Sequence, residues 1–513
     1  MGHRTVNRFG PSHPLFLPLM VGLLLRLAAA VFSTGYLMHD DHFLVVEVGA
    51  SWAAGEDYNN WLPWNQTGEP EARPGNFAYP GTQFLLFELF EHIGPHRPSS
   101  QMVVLRLLHG LYSLSIVVLG FLLTRALAPK RHGLATIVGW ILAAGGFWPL
   151  LSVHQLVEVI CIPPLMLSFW VLARRDRLDW SDVILAGVGI GIATGFRFQC
   201  GLIGIGLIPA FVLQRDVKSL IGIGLTALTT FALVQSPDLF VWGEPFFQLR
   251  GYIAYNAEHA GDYPAGPWYQ YLLTLGGLLV PPVSLMLLWG AVHVGRRKAP
   301  ANWWRIAFPV FLFLIFHSAF VNKQERFILP VVPALISLGV IGWDLWRQQS
   351  HWWRRHMRLE RGLWATFWGI NVVLLAATIP YEAKRARVDA MDFLWTQKAQ
   401  AFAMVQVDSG AMPPQFYSGT WRSYPVDDRR DGQGHPPRDV AATWCAHSPE
   451  FILFQGRSHL AEAVQAYKAD LPGLRYVTTI QSSRIDRWLE RLNPINSSER
   501  IAIYAVDDAL PCP

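Results

Sequence analysis

Long runs of apolar residues recur along this chain as far as residue 380, and short polar segments separate them. A helix needs about 20 mostly apolar residues to cross the hydrocarbon core of a bilayer. Runs close to that length lie near 15–38, 102–127, 134–151, 155–173, 183–196, 199–213, 217–235, 271–294, 304–320, 327–346 and 362–380. The pattern predicts a polytopic α-helical membrane protein with about eleven spans.

Beyond Tyr381 the pattern changes to that of a soluble domain. A helical pattern from Lys384 to about Met404 is followed by short apolar strands and one amphipathic helix. The strands are predicted at Phe451–Phe454, Arg475–Ile480 and Arg500–Val506, and the helix at 461–469. The sequence therefore predicts two domains, a transmembrane module at 1–380 and an α/β domain at 381–513 that supports the module or binds an acceptor.

Composition agrees with the membrane prediction, because 52% of the residues are hydrophobic and only 15% are charged. The net charge of +5 arises from basic loops between apolar runs, so it does not indicate nucleic-acid binding. The first run is long enough to remain as a spanning helix instead of a removable signal peptide.

Basic residues predict the orientation, because Lys and Arg concentrate in cytoplasmic loops. They occupy alternate loops, at Lys130-Arg131, Arg174–Arg177, Arg215 with Lys218, Arg296–Lys298 and Arg347–Arg361. The first loop at 39–101, the loops at 236–270 and 321–326, and the tail from 381 are then on the outer side.

An acidic stretch follows the first apolar run and contains Asp40, Asp41 and Glu47. Carboxylates beside a bilayer are costly unless they have a partner or a function, so they indicate a site. The alternative is that these acids mark the end of one helix and cap the next.

Two cations, Lys323 and Arg326, lie on the predicted outer side, against the usual bias. Phosphate is a natural ligand for them, because Arg binds it bidentately and Lys acts as a point charge. Arg26, within the first run, is expected to make a structural ion pair. Trp61 and Trp64 in the first loop are expected to anchor at the membrane interface, with stacking on a sugar as the alternative.

The four cysteines divide into two pairs. Cys161 and Cys200 lie in apolar runs and are expected to be small core residues. Cys445 and Cys512 belong to the predicted external tail, where they are either bridged or free. The sequence has no Cys/His spacing that is typical of a metal site.

Three outer-face motifs together resemble glycosyltransferase family 22, the lipid-linked-sugar mannosyltransferases of the GT-C class. They are His39-Asp40-Asp41-His42-Phe43 with Glu47, Tyr255-Asn256 with Gly266–Tyr271, and Asn322-Lys323-Gln324-Glu325-Arg326-Phe327-Ile328-Leu329-Pro330. Weaker similarities are Arg73 before Tyr79-Pro80, Arg197 after the fifth run, and Arg26. The resemblance extends from about residue 20 to residue 335.

This resemblance implies an integral membrane enzyme of GT-C fold that transfers mannose, with inversion, from a polyprenyl (dolichyl-type) phosphate to a glycan or glycolipid acceptor. The active site would face the periplasm in a bacterium or the lumen of the endoplasmic reticulum. Asp40, or second Asp41, would be the catalytic base. Lys323, Arg326, Arg197 and Arg73 would hold the donor phosphate, without metal or cofactor. Residues that orient the substrates would be Glu47, Asn256, Trp268, Tyr269 and Glu325.

The chain departs from the family pattern at several positions. Asn322 replaces the first His of the signature, Gln324 replaces its Glu, and the histidines of the tryptophan-rich loop are missing. The chain therefore resembles a divergent member, and another lipid-phosphate sugar or a protein acceptor is the alternative within the enzyme class. Outside the enzyme class, the sequence is compatible with a transporter or a non-catalytic scaffold, although polar residues gather on one face and no inverted repeat is present.

Overall fold

The computed structural model describes residues 10–72, 75–259, 261–262, 265–294, 301–407, 412–427, 448–457, 459–492 and 498–507. Arg73, the basic stretch 296–298, Cys445 and Cys512 lie outside these residues. The chain forms two compact units. The helical unit comprises Met1–Val31, Leu62–Tyr79 and Leu105–Pro380, and the sheet unit comprises Phe32–Trp61, Pro80–Val104 and Tyr381–Pro513.

Helices account for most of the described chain. The longer ones are Phe16–Phe32, Ala78–Ile93, Pro98–Leu127, His132–Ala144, Ile162–Ala173, Trp180–Phe196, Leu202–Leu213, Val217–Val234, Phe247–Glu258, Gln270–Leu278, Val283–Val294, Ala301–Ala319, Val332–Gln349, Met357–Thr378, Arg385–Gln397, Leu460–Asp470 and Arg484–Leu492. Shorter helices and turns are His39–Asp41, His42–Val46, Glu47–Ala53, Pro63–Asn65, Trp148–Leu151, Val157–Ile160, Pro237–Val241, Phe198–Gly201, Glu325–Val331, His351–Arg355 and Gln415–Ser418.

Within the described residues, three segments combine the length and the hydropathy that a bilayer crossing needs. They are Pro98–Leu127, Val217–Val241 and Glu325–Gln349. The last of these is the core of the helical unit, since its residues from Val332 to Asp344 are all buried. It packs closely on helix Val283–Val294, where a Cβ on Gly290 would lie only 2.1 Å from the Gly339 carbonyl oxygen. Glycine therefore permits this backbone contact.

Two of the predicted spans are interrupted. The run 271–294 forms helices Gln270–Leu278 and Val283–Val294, because Pro281 and Pro282 between them have no N–H to continue the hydrogen-bond ladder. The run 134–151 likewise ends as a helix at Ala144, before two glycines. The number of membrane spans stays a prediction.

Arg26 is buried in helix Phe16–Phe32, but its expected ion pair is wrong. Its Nε donates to Ser113 Oγ at 2.9 Å, and its terminal nitrogens donate to the carbonyls of Gly22, Ala143 and Leu142, each at 3.2 Å. Helix ends and small residues leave carbonyls available here, so the guanidinium is satisfied without a carboxylate.

The sheet unit contains a mixed sheet of five strands, which are β3 (Phe402–Gln406), β4 (Ser423–Asp427), β5 (Phe451–Gly456), β6 (Leu474–Ile480) and β7 (Arg500–Val506). Their order in the sheet is β4-β3-β5-β7-β6. β3 pairs in parallel with β4 and β5, whereas β7 is antiparallel to β5 and β6. The strands predicted from short apolar runs at Phe451–Phe454, Arg475–Ile480 and Arg500–Val506 are confirmed.

The predicted helical run from 384 to 404 is wrong in its second half. The helix Arg385–Gln397 ends at Lys398, which adopts a left-handed conformation with φ of 56°, and Phe402–Gln406 then forms the fully buried strand β3. A strand that is buried on both faces has no alternating pattern, so its apolar residues resemble a continuation of the helix.

A second, two-stranded sheet joins β1 (Thr34–Gly35) to β2 (Glu382–Ala383) in parallel. Trp61 in the same unit is only 1% exposed and packs edge-on against Trp52, with ring centroids 6.2 Å apart. The prediction that Trp61 anchors at the membrane interface is therefore wrong. Trp64, in contrast, is 66% exposed.

Candidate functional site

The acidic stretch forms one continuous helical segment of the sheet unit. A short α-helix, His39–Asp41, leads into a π-helical turn, His42–Val46, and then into helix Glu47–Ala53. Asp40 is half-buried and Asp41 is buried. Within this described segment no side chain caps the start of a helix, so the structure does not support the interpretation of Asp41 as a cap. π-Helical turns are rare and occur frequently at functional sites.

The π-helical turn brings His42 and Glu47 together, because it aligns residues five positions apart. His42 Nε2 lies 2.9 Å from Glu47 Oε1, and both side chains are buried. The imidazole stacks on Tyr36 and Tyr417, with centroids at 4.5 and 5.7 Å. Burial raises the pKa of Glu47, while its bonds to His42 and to the Phe416 N–H oppose that change. Because the partners of Glu47 are protein groups, Glu47 would act on a substrate indirectly, through His42 or the tail.

A second polar cluster, within the helical unit, centres on Glu158. Its Oε1 lies 2.6 Å from Arg197 Nη1 and 3.1 Å from Arg326 Nε. All three side chains are buried. Arg197 follows the last residue of helix Trp180–Phe196, and Arg326 belongs to the turn Glu325–Val331. One carboxylate thus orients two of the arginines that were predicted to bind phosphate.

Arg197 retains two hydrogen-bond donors that have no acceptor among the described residues. These are its Nε and Nη2 atoms, and both are buried. Its guanidinium lies over the ring of Phe327, 5.0 Å from the centroid. A buried N–H without an acceptor is costly, so this edge of Arg197 is arranged to receive one.

The structure brings the second and third predicted outer motifs together. Ala265 pairs with Asn322 in an antiparallel β-bridge, and the Tyr271 hydroxyl donates to the Gln324 carbonyl at 3.2 Å. Lys323 is buried, with its Nζ 5.9 Å from the Tyr271 ring centroid. The ammonium donates to the carbonyls of His317 and Phe320.

The remaining predicted residues occupy varied positions. Asn256 is half-buried and donates to the Tyr252 carbonyl at 2.8 Å. Trp268 and Tyr269 are 68% and 45% exposed, and Glu325 is also exposed. These three side chains are accessible to a ligand. Protein contacts do not hold them in place as Glu158 holds Arg197 and Arg326.

Asp40, Asp41 and Glu47 belong to the sheet unit, whereas Arg197, Lys323 and Arg326 belong to the helical unit. Arg73 lies outside the described residues. The predicted phosphate-binding arginines Arg197 and Arg326 do converge, on a residue that the sequence analysis missed. The signal for Glu158 was present, because a lone carboxylate within an apolar run indicates a functional or pairing role.

The predicted core role of Cys161 and Cys200 is confirmed, since both are free and buried. The sheet unit contains carboxylates, which can accept a proton, and the helical unit contains cations, which can bind an anion.

Comparison with known proteins identifies relatives of both sequence and fold. Residues 17–410 match the model of the Alg9-like mannosyltransferase family. The alpha-1,2-mannosyltransferases ALG9 of Homo sapiens and Mus musculus are 28% and 27% identical over 201 residues, which are 36% of this chain and 32% of each relative. The chain thus matches about a third of the length of these curated relatives.

Among solved structures, the crystal structure of ArnT from Cupriavidus metallidurans bound to undecaprenyl phosphate superposes with a TM-score of 0.63 at 12% identity. The match covers 97% of this chain and 98% of ArnT. The apo form of the same protein gives the same TM-score at 13% identity. The chain therefore shares the fold of ArnT over nearly its whole length, which agrees with the fold that the motifs imply.

Proposed function

Because this chain belongs to the Alg9-like mannosyltransferase family, we propose that it transfers a mannosyl residue from a polyprenyl phosphate to a hydroxyl of a glycan or glycolipid. The observation that carries the proposal is the buried cluster of Glu158, Arg197 and Arg326. Two guanidinium groups share one carboxylate oxygen there, and Arg197 keeps two buried donors without an acceptor among the described residues.

The charge of this cluster favours an anionic ligand. One carboxylate neutralises one of the two guanidinium groups, and buried Lys323 lies three residues from Arg326. An uncompensated buried cation is costly, and a phosphate offsets that cost by accepting hydrogen bonds from an Arg edge. The edge of Arg197 formed by Nε and Nη2 has the spacing for a bidentate contact.

A polyprenyl carrier fits the membrane setting of these residues. Its chain would remain in the bilayer while its phosphate reaches the interface. ArnT, whose fold this chain shares, was crystallised with undecaprenyl phosphate, which is a lipid phosphate of this class. Support for mannose as the sugar comes from the family.

The proposed step is a direct displacement at the anomeric carbon. The acceptor oxygen bonds to C1 as the bond from C1 to the phosphate oxygen breaks, and the polyprenyl phosphate leaves with that electron pair. Asp40 accepts the acceptor proton, with Asp41 as the second candidate. Arg197, Arg326 and Lys323 stabilise the charge that develops on the phosphate. A single displacement inverts the configuration of C1, and these cations supply the stabilisation without a metal.

We further propose that this chemistry occurs on the outer face of the membrane. The basic loops support this, because their bias predicts that Asp40, Lys323 and Arg326 lie on the side opposite to Lys130 and Arg354. The cellular setting would then be the periplasmic face of a bacterial inner membrane or the lumenal face of the endoplasmic reticulum.

The test is transfer of labelled mannose from polyprenyl-phosphate mannose by the purified full chain. Asp40→Asn preserves size but removes the proton acceptor, so we expect a loss of about 10²-fold or more, with donor binding unchanged. Asp41→Asn should have a smaller effect. The matched control is Glu91→Gln, an exposed acid in the same unit.

Three results would refute or change parts of the proposal. Normal turnover in both Asp variants would remove the acidic stretch from the chemistry. Loss in the Asp41 variant alone would assign the base to Asp41. Transfer from polyprenyl-phosphate glucose or arabinose, without transfer from the mannose donor, would refute the sugar while retaining the reaction class.

A further inference from the structure

The helix Phe247–Glu258 packs beside the turn that follows Arg197, within the helical unit. The Tyr252 ring of this helix contacts Phe198 edge-on, with ring centroids 5.2 Å apart. Gln199, in the same turn, donates from Nε2 to the Tyr252 hydroxyl oxygen. Both of these turn residues come directly after Arg197 in the chain, so Tyr252 is held next to that buried arginine.

Two contacts fix the start of this helix against the apolar segment that precedes it. Asp238 Oδ2 accepts the Gln248 backbone N–H at 3.0 Å, and both residues are buried. Phe246, immediately before the helix, stacks on Phe231 with ring centroids 5.8 Å apart and ring planes at 6°. Tyr252 comes four residues after Gln248, which places the two on one face of the helix. The helix therefore carries Tyr252 on the face that is anchored.

The Tyr252 hydroxyl accepts hydrogen bonds but donates none within the described part of the chain. Gln199 donates to its oxygen, and the Asn256 carboxamide bonds to the same hydroxyl. Burial raises the pKa of Tyr252, an effect that the nearby Arg197 opposes, so the hydroxyl is protonated at neutral pH. A phenol has one proton to donate. That proton can therefore be donated to a ligand.

Arg197 contributes further donors beside this hydroxyl. Its Nη1 donates to Glu158 at 2.6 Å, whereas its Nε and Nη2 are buried and have no acceptor among the described residues. The Tyr252 side chain is close enough to Arg197 for an electrostatic interaction between them. Three donor groups thus lie near one another, and the described residues offer an acceptor to none of them. Such a set of donors is suited to an anion.

We propose that the Tyr252 hydroxyl donates a hydrogen bond to the donor phosphate that Arg197 binds, which makes Tyr252 a further binding residue for the transfer reaction. This inference rests on the proposed function, because it assigns a partner to the phosphate of the polyprenyl donor. A phosphate that joins a polyprenyl chain to a sugar has two unesterified oxygens. These oxygens can accept from the Arg197 edge and from Tyr252 at the same time.

The same hydrogen bond should also act during the reaction. Negative charge increases on the phosphate as its bond to the sugar breaks, and a hydrogen bond to an oxygen gains strength with that charge. An interaction that is stronger in the transition state than in the ground state raises kcat. Loss of the Tyr252 hydroxyl should therefore lower kcat as well as donor affinity.

The first test compares Tyr252→Phe with the wild type, each as the purified full chain in nanodiscs. The change removes the hydroxyl and keeps the ring that contacts Phe198. The probe is polyprenyl phosphate, and its neutral analogue polyprenol is the reference ligand. We expect about tenfold weaker binding of polyprenyl phosphate, or more, with polyprenol binding unchanged. Tyr476→Phe removes an exposed hydroxyl of the sheet unit and should bind both ligands as the wild type does.

A second variant separates hydrogen bonding to phosphate from a structural role. Replacement of Tyr252 by trifluorotyrosine keeps the ring and its oxygen but makes the phenol far more acidic. After ionisation the oxygen still accepts from Gln199, so the contact with the turn remains, but it no longer donates and it repels phosphate. Binding of polyprenyl phosphate should therefore weaken at alkaline pH more steeply in this protein than in the wild type. A structural role would leave the two pH profiles alike.

The outcomes separate this inference from the proposed function. Equal binding of polyprenyl phosphate by the wild type and Tyr252→Phe, with matching pH profiles for the trifluorotyrosine protein, overturns the inference and leaves the proposed function intact. Equally weakened binding of polyprenyl phosphate and polyprenol in Tyr252→Phe also overturns it, because the hydroxyl would then support the fold only. Absence of polyprenyl-phosphate binding by the wild type would overturn the proposed donor, and this inference with it.

Discussion

Both carboxylate oxygens of Glu47 lie within hydrogen-bond distance of the Phe416 backbone N–H, at 3.2 and 3.0 Å. The two residues are far apart in sequence, and each is buried in the sheet unit. The same carboxylate bonds to His42 at 2.9 Å. Glu47 therefore links the acidic stretch that carries Asp40 to the C-terminal tail, so the tail helps to hold the candidate base in place.

Removal of this link should destabilise the protein. Glu47→Ala leaves His42 and the Phe416 N–H without their partner in a buried site, which costs about 3–5 kcal/mol. We expect a clear decrease in the unfolding temperature. Glu91→Ala, an exposed acid of the same unit, should change the free energy of unfolding by less than about 0.5 kcal/mol. Equal unfolding temperatures for the two variants would contradict this role of Glu47.

Loss of Glu158 should make the stability of the protein depend on a bound donor. Glu158→Gln leaves Arg197 and Arg326 as buried cations without this counter-charge, at a cost of about 2–5 kcal/mol. A bound polyprenyl phosphate restores negative charge, so it should raise the unfolding temperature more in this variant than in the wild type. Glu258→Gln, an exposed acid of the helical unit, should respond as the wild type does. A smaller ligand effect in the Glu158 variant would argue against phosphate at this cluster.

Arg326 should matter through the shape of its guanidinium as well as through its charge. Arg326→Lys keeps the charge but loses the planar edge, and Lys323→Ala removes a charge. Each should weaken donor binding at least tenfold, about 1.4 kcal/mol. Arg250→Lys changes an arginine that is 61% exposed and serves as the control. Donor affinity that is unchanged in both site variants would leave these residues with a structural role only.

The predicted topology can be tested with single cysteines on a cysteine-free background. Lys398→Cys places an exposed thiol in the tail, and Trp352→Cys places one in the predicted cytoplasmic loop, where Trp352 is 50% exposed. An impermeant reagent added from outside should label position 398 and not position 352. The reverse labelling would place every proposed catalytic group on the cytoplasmic side.

Lys384 should titrate at a lower pH than an ordinary lysine. Burial lowers its pKa from 10.5, with the nearby Arg387 adding to the effect. A lower pKa leaves more of the amine deprotonated and nucleophilic below pH 10.5, so acylation followed by mass spectrometry should show a midpoint below that value. A midpoint at or above 10.5 would contradict this lowering of the Lys384 pKa.

The sequence predicted most of the helices and strands that have a clear local pattern of apolar and polar residues. The apolar runs, the strands β5, β6 and β7, and the helix in the tail are each visible as an apolar segment or an amphipathic pattern bounded by polar residues. The strand β3 was not separated from the preceding helix, because it begins shortly after that helix ends and its apolar residues continue the pattern. Pro281 and Pro282, which interrupt the predicted span 271–294, were visible in the sequence. Hydropathy alone does not reveal such an interruption, because proline does not end an apolar run.

By itself, the sequence determined the membrane character of the chain, its family and the chemical types in its motifs, because hydropathy and short motifs are local properties. The tertiary structure alone decided how those motifs are used. It placed Glu158 between Arg197 and Arg326, turned Arg26 to hydroxyl and carbonyl partners, and buried Glu47 against the tail. These relationships join residues far apart in the chain, and pairing of that kind follows from packing, which no local pattern encodes.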